Sequence, residues 1–274
     1  MDTHSHTNKL TMKPIISGIQ QVGIGIPDVY AAFKWYRQHF ATNIPIFDEA
    51  AEAALMLPYT GGEPRSRHAV LAINSQGGGG MEIWQYTSRT PQPADFGIQV
   101  GDLGLYAAKV KSRDVHKTFQ ELQARKANIL GGLERTPEGK EHFFVQDPWR
   151  NVFEVVPSNN WFRKDNQTTG GMYGVMIGVS NIENSRKLYS DILGYDTVVY
   201  DKEGQFDDLK GLPGGREIVR RVLLRHSQAR KGAFSNMLGE SEIELISVKS
   251  RTPRKIFENR MWGDLGFILS LIHI

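Results

Sequence analysis

The stretch Gly80-Met81-Glu82-Ile83-Trp84-Gln85-Tyr86-Thr87-Ser88-Arg89-Thr90-Pro91, which runs on to Gly101-Asp102-Leu103-Gly104, occurs twice in this chain. The second copy is Ser241-Glu242-Ile243-Glu244-Leu245-Ile246-Ser247-Val248-Lys249-Ser250-Arg251-Thr252-Pro253, which runs on to Gly263-Asp264-Leu265-Gly266. Glu82 and Glu244 are 162 residues apart, and so are Gly101 and Gly263, so the copies align without a gap. A fixed offset of this kind indicates a duplicated architecture.

Each copy contains the last strand of a longer unit, which consists of one strand, one helix and three further strands. In residues 15–26 the apolar side chains Val22, Ile24 and Ile26 alternate with small or polar residues, which predicts a strand with one apolar face. The same unit recurs at residues 104–156 and from residue 172 onward, so we predict an α+β fold of tandem βαβββ units. The predicted helix N-caps are Asp28, Asp114 and Asn181.

Spacing within the pattern predicts the domain organisation. We expect a disordered leader in residues 1–14, a complete two-unit domain in residues 15–157, a polar linker in residues 158–171 and a second domain in residues 172–274. The offset between the first and third units grows from 153 to 162, which predicts nine extra residues near positions 204–215. A fourth unit begins at Gly263 and holds only its first strand, so the second domain is predicted to be truncated after its first unit and the chain to be a fragment.

Composition excludes several classes of function. The 274 residues include 33 basic and 30 acidic ones, a near-balance that gives no electrostatic case for binding nucleic acid or an anionic membrane. The chain contains no cysteine, so disulfides, thiolate metal sites and cysteine nucleophiles are excluded. We find no signal peptide and no apolar run long enough to span a membrane, and we therefore expect a cytoplasmic protein.

Two glutamates stand out on predicted apolar strands. Glu82 lies between Met81 and Ile83, and Glu154 lies between Phe153 and Val155. A carboxylate in such a place is costly unless it is solvated, paired or bound to a metal. Strand alternation turns it away from its apolar neighbours, so we expect both glutamates to point into one cleft, although each could simply face water.

These features together resemble the vicinal oxygen chelate superfamily, which includes glyoxalase I, the bleomycin-resistance proteins and the extradiol dioxygenases. The resemblance rests on the tandem βαβββ units, on Ile-Pro-Asp at residues 26–28, and on the turn 147–151 (Asp-Pro-Trp-Arg-Asn) before a strand that contains Phe-Glu-Val-Val. It implies a curved-sheet domain of the glyoxalase, bleomycin-resistance and dioxygenase type, whose hollow holds up to four metal ligands.

The resemblance also implies a set of site residues. Gln21, Glu82 and Glu154 match three ligand positions, whereas Ala107 stands where the family usually has a histidine. We therefore expect Gln21, Glu82 and Glu154 to bind a divalent metal ion and Glu154 to act as the catalytic base. An all-oxygen set favours Mg²⁺ or Mn²⁺, with Zn²⁺, Ni²⁺ and iron left open, and the metal could be absent altogether. Residues that could line a substrate pocket are Trp84, Tyr86 and His142.

Three functions stay open from the sequence. The first is a glyoxalase-like, metal-dependent lyase or isomerase acting on a small vicinal-oxygen substrate. The second is a metal-free binding protein of the drug-sequestering, bleomycin-resistance type, and the third is an extradiol dioxygenase. The sequence also leaves open whether the domains pair within one chain or across a homodimer.

Overall fold

A computed structural model describes residues 15–273 of the chain, with side chains described to residue 268. The expected disordered leader lies outside the described residues. Thirteen strands are present within the described range. They are β1 (Gly18–Gly25), β2 (Ile44–Glu52), β3 (Ser66–Ile73), β4 (Gly80–Tyr86), β5 (Gly104–Ser112), β6 (Asn128–Arg135), β7 (Glu141–Gln146), β8 (Val152–Pro157), β9 (Thr169–Gly178), β10 (Thr197–Gly204), β11 (Val219–Arg225), β12 (Glu242–Val248) and β13 (Gly266–His273).

Three of the helices begin where the sequence predicts, and a short fourth one was not predicted. They are α1 (Val29–Phe40), α2 (Val115–Ala124), α3 (Ile182–Arg186), which continues as a π-helical turn (Lys187–Ile192), and the short α4 (Ser235–Leu238). Asp28, Asp114 and Asn181 each accept backbone N–H hydrogen bonds at the helix N-terminus, which confirms the three predicted caps. No helix of the described residues is long and apolar enough to cross a membrane.

The strands form two curled sheets, which we call sheet A and sheet B. Sheet A has the strand order β13-β1-β4-β3-β2, and sheet B has the order β10-β11-β12-β9-β5-β8-β7-β6. The α+β architecture of βαβββ units is therefore confirmed. The helices pack with one face of each sheet in a shared apolar core, and we call the opposite face of each sheet its hollow.

The first two units of the chain do not share a sheet. The first unit pairs through β1 with β13, the start of the fourth unit, and the second pairs through β5 with β9 of the third. The sequence suggested a different arrangement, in which the first two units (15–157) enclose one cleft. In the described residues the units pair with one another within one chain. The predicted site residues are therefore divided between the hollow of sheet A and the hollow of sheet B.

The repeated motif holds this pairing in place. Arg89 of the first copy donates a hydrogen bond to Asp264 of the second, and Arg251 of the second copy donates to Asp102 of the first at 2.6 Å. Both aspartates are buried, and each also accepts backbone N–H bonds from the loop that carries the arginine. We call these two contacts the crossed clamps. They explain why residues without a shared packing role recur at a fixed offset.

Candidate functional site

Gln21 and Glu82 lie side by side in the hollow of sheet A. Gln21 is on β1 and Glu82 is on β4, and the two strands run parallel with Gly23 opposite Glu82. The Gln21 amide Nε2 donates a hydrogen bond of 2.6 Å to Glu82 Oε2. Two of the three predicted metal ligands are therefore in direct contact.

Glu82 stands in a small pocket that contains a positive charge. Burial raises the pKa of the Glu82 carboxyl, while the Gln21 hydrogen bond and the charge of Arg67 act against that rise. The pocket has a volume of about 240 Å³, and its lining includes Glu82, Arg67, Trp84 and Trp262. Arg67 reaches it from β3 and also contacts the exposed carboxylate of Glu49 at 2.9 Å. The pocket thus offers a carboxylate, a guanidinium and aromatic surface to a ligand.

The aromatic wall is formed by residues of strand β4 in the first unit and by Trp262, which lies just before β13. The ring of Trp84 meets that of Trp262 edge to face, with centroids 4.8 Å apart. Tyr86 packs against Trp84, and its hydroxyl donates a hydrogen bond to the Trp262 backbone carbonyl. Trp84 therefore lines the pocket directly, while Tyr86 supports the wall from behind.

Glu154 and His142 lie in the hollow of sheet B, where both are fully buried. Glu154 Oε1 is 2.8 Å from His142 Nδ1, and Glu154 Oε2 is 3.0 Å from Lys109 Nζ. Burial would raise the pKa of the Glu154 carboxyl, but the charge of Lys109 and the contact with His142 outweigh it and lower that pKa. A carboxylate held as an anion by two cations is a poor proton acceptor.

The expected sharing of one cleft by Gln21, Glu82 and Glu154 is thus corrected. The crossed clamps join the first unit to the fourth and the second to the third, so Glu154 is in a different sheet from Gln21 and Glu82. His142 accompanies Glu154 rather than the tryptophans. Among the predicted ligands and pocket-lining residues, the described structure brings Gln21, Glu82, Trp84 and Tyr86 together in sheet A and Glu154 and His142 together in sheet B.

The charged residues around Glu154 were not predicted from the sequence. Lys109 interrupts the apolar strand β5, Arg221 interrupts β11, and Glu242 precedes Glu244 on β12. Each places a charged side chain on an otherwise apolar strand, which is the criterion that singled out Glu82 and Glu154. Applied to basic residues as well, that criterion would have predicted an ionic cluster.

The fold and the hollow of sheet A define the class of protein to which the chain belongs. Proteins of this class have curled sheets built from paired βαβββ units and carry polar side chains on the hollow face of the sheet. The sequence model of the Glyoxalase/Bleomycin resistance protein/Dioxygenase superfamily matches residues 18–155, half of the chain. The chain belongs to this superfamily, which confirms the resemblance drawn from its motifs.

Solved structures show the same fold at low identity. A glyoxalase I variant from Zea mays matches with a TM-score of 0.51 and 13% identity, over 86% of this chain and 70% of that chain. A putative dioxygenase from Bacillus subtilis matches with a TM-score of 0.54 and 12% identity, over 88% of this chain and 66% of that chain. Comparison with curated proteins finds no significant match.

Proposed function

We propose that this chain is a glyoxalase-like, metal-dependent lyase or isomerase that acts on a small vicinal-oxygen substrate in the hollow of sheet A. The observation that supports the proposal is the contact between Gln21 and Glu82 beside an open pocket. An amide and a carboxylate held together on neighbouring strands present oxygen donors on a rigid support, as a site for a small polar ligand requires.

These residues fit a hard divalent ion. Mg²⁺ in enzymes is usually held by one or two carboxylates, and water and substrate complete its shell. Within residues 15–268 no group of three His, Cys, Asp or Glu side chains is placed to bind a metal, so an ion held by Gln21 and Glu82 would take its other ligands from water and substrate. A divalent ion bound there would polarise neighbouring oxygens of the substrate.

The surrounding side chains have separate roles in this proposal. Glu82 would accept the proton from the carbon next to the polarised oxygen when its carboxylate is released from the ion, since burial raises the pKa of the unbound carboxyl above its ordinary value. The Gln21 amide fixes the orientation of that carboxylate. Arg67 balances negative charge that develops on the substrate oxygens, while Trp84 and Trp262 shield one side from water.

Metal binding in matched variants tests the proposal. We expect the full chain to bind one Mn²⁺, measured by electron paramagnetic resonance, and Glu82→Gln to lose it. Glu52→Gln is the control, because Glu52 lines the same pocket but ends the exposed strand β2. Mn²⁺ binding that survives Glu82→Gln, or that Glu52→Gln abolishes equally, would contradict the proposed ligand set.

A metal-free binding protein is the second candidate, favoured by the edge-to-face contact of Trp84 and Trp262 in the pocket wall. It predicts no Mn²⁺ binding at any concentration and quenching of tryptophan fluorescence by an aromatic ligand, lost in Trp262→Ala. The extradiol dioxygenase requires bound iron and ring cleavage of a catechol. Residues 15–268 give it no two-histidine, one-carboxylate group.

A further inference from the structure

Another pocket lies between sheet A and sheet B, and we call it the seam pocket. Phe267 of β13 lines it from sheet A, while Leu105 of β5 and Val152 of β8 line it from sheet B. Its volume is about 470 Å³, which is within the range of sites that bind small molecules. Glu82 and Glu154 are not part of its lining, so the seam pocket is distinct from both hollows.

Three aromatic side chains line the seam pocket, and two of them are held in place by another side chain. The Phe267 ring packs edge to face with the buried Phe153 ring, with centroids 5.5 Å apart. The Arg254 guanidinium lies 3.8 Å from the centroid of the Phe96 ring. Trp149 is the third aromatic residue of the lining. The pocket therefore offers preformed aromatic surface to a flat apolar molecule.

The segment between β4 and β5 closes one side of the pocket and is fixed at both ends. The Gln92 backbone N–H donates to the buried Asp264 carboxylate at 2.8 Å, and its carbonyl accepts from the Leu265 N–H at 3.0 Å. At the other end, the Val100 N–H donates to the Pro213 carbonyl at 2.9 Å. Residues between these two points line the pocket, which is therefore part of the folded framework.

Arg150 has the one charged side chain among the described residues of the lining. It is exposed, and it forms no ion pair within residues 15–268. Its backbone φ is 73°, a left-handed conformation that favours glycine or asparagine over a long side chain. The arginine therefore occupies this position at a conformational cost, and its charge is available to a ligand.

Tyr106 provides a hydrogen-bond donor at a buried position of the lining. Its side chain is only 5% exposed, and its hydroxyl has no hydrogen-bond partner among the described residues. The pairing of β5 with β9 skips Tyr106, which makes it the extra residue of a β-bulge. Burial and the charge of Asp102 raise the pKa of this hydroxyl, so it keeps its proton.

The internal repeat shows that the bulge does not require a hydroxyl. Ile268 stands at the offset of 162 residues that relates the two motif copies, and the pairing of β13 with β1 skips it in the same way. Ile268 packs with the apolar cluster of Trp84 and Tyr86. A buried hydroxyl without a partner costs stability, so its presence at Tyr106 indicates a partner that comes from outside the chain.

These features together select the chemical class of the ligand. The aromatic lining favours a flat ring system, and a single cation favours a single negative charge. The described lining contains no acidic side chain that would bind a cationic group. Arg150 is exposed whereas Tyr106 is buried, so the ligand has its charge at one end and a hydrogen-bond acceptor at the other.

We propose that the seam pocket binds an aromatic monocarboxylate whose carboxylate pairs with Arg150 and whose far end carries an oxygen that accepts a hydrogen bond from Tyr106. The ring system lies against Phe96, Trp149 and Phe267. The inference does not depend on the proposed function, because the ligands and the base of that function lie in the hollow of sheet A.

Calorimetric titration of the full chain with para-hydroxycinnamate tests the inference. This probe is flat and has a carboxylate at one end and a phenolic oxygen at the other. We expect one binding site, with para-hydroxycinnamamide bound about tenfold more weakly because it lacks the charge. Cinnamate lacks the phenolic oxygen and should bind about fivefold more weakly, as expected for the loss of one hydrogen bond to a neutral group.

Two variants assign each preference to a residue. Arg150→Gln should bind the acid and its amide equally, and Tyr106→Phe should bind para-hydroxycinnamate and cinnamate equally. Arg163→Gln is the control for charge, since Arg163 is also exposed but is not part of the lining. Tyr195→Phe is the control for the hydroxyl, because Tyr195 is buried elsewhere with its hydroxyl 2.8 Å from Ser241 Oγ. Both controls should keep both preferences.

Thermal unfolding without ligand shows whether a variant that fails to bind is folded. Tyr106→Phe removes a hydroxyl that has no partner and should unfold at or above the temperature of the parent chain, whereas Tyr195→Phe should unfold at a lower temperature. Arg67→Gln reports binding in the pocket of sheet A instead. The inference is overturned if para-hydroxycinnamate does not bind, if both preferences survive in Arg150→Gln and Tyr106→Phe, or if Arg67→Gln abolishes binding.

Discussion

At the scale of single residues, Glu82 and Glu154 show that position in a repeat does not decide the chemistry of a carboxylate. Both follow an apolar residue on the last strand of a unit and both face a hollow. Glu82 has the neutral Gln21 amide as its nearest partner, and burial raises its pKa. Glu154 has the cations Lys109 and His142, and its pKa is lowered. One is suited to accept a proton and the other to stay an anion.

His142 gives the molecule a stability that depends on pH. Hydrogen bonds and charges from Asp208 and Glu154 outweigh burial and raise its pKa from 6.5 to about 9 in the folded chain, so the folded state binds its proton more tightly than the unfolded state does. The stabilisation is complete below pH 6.5 and is lost as pH rises through about 9. We expect the free energy of unfolding, measured by urea denaturation, to fall between those two pH values.

In His142→Gln this fall should be smaller, with most of the lost stability appearing at the acidic end of the range. His116→Gln is the control, because His116 is exposed and its ring Nε2 lies 3.1 Å from the Gln120 amide, which carries no charge. Lys111 acts in the opposite direction at higher pH, since burial lowers its pKa to about 8. Comparing the His142 and His116 variants removes the contribution of Lys111, which both share. If the free energy of unfolding depended on pH equally in the two variants, His142 would not carry a proton in the folded chain.

At the scale of elements, helix α1 is fixed to the second unit by one buried hydrogen bond. The Tyr36 hydroxyl donates to Asp147 Oδ2 at 2.6 Å, in the turn 147–151 that connects β7 to β8. Asp147 also accepts from the Asn151 side chain and from the backbone N–H groups of Trp149 and Asn151. The turn therefore presents a charged acceptor to the helix that covers it, which gives the Asp-Pro-Trp-Arg-Asn motif a structural reason.

Removal of the Tyr36 hydroxyl should lower the free energy of unfolding by about 1.5–3 kcal/mol, the range for a hydrogen bond to a charged group. Tyr36→Phe makes the change, and thermal or urea unfolding measures it. Tyr30→Phe is the control on the same helix, because the exposed Tyr30 hydroxyl faces Asp48 at 3.4 Å. A loss for Tyr30→Phe as large as that for Tyr36→Phe would mean that burial of Asp147 is not the cause.

At the scale of the whole molecule, the sequence predicts the units better than it predicts their pairing. The caps at Asp28, Asp114 and Asn181 are local, since each side chain bonds backbone groups two or three residues away. The pairing of units depends on contacts such as Arg251 with Asp102, which are 149 residues apart. The motif contains all four clamp residues, and each arginine could in principle bind the aspartate of its own copy. Which aspartate it binds is decided by the assembled sheets, and the location of Glu154 follows from that choice.

Removing the arginine of each crossed clamp should destabilise a different sheet. In Arg251→Ala the buried Asp102 loses a charged partner, and we expect a loss of about 1.5–3 kcal/mol in the free energy of unfolding. Faster amide hydrogen exchange should appear mainly in β5 and β9, the strands that join the second and third units. Arg89→Ala acts on Asp264 and should instead speed exchange in β1 and β4 of sheet A. Arg254→Ala is the control, since its guanidinium meets the exposed Asp95 at 3.0 Å and such pairs contribute little. If both clamp variants sped exchange in the same strands, the motif would be a general stabiliser and the pairing of units would need another cause.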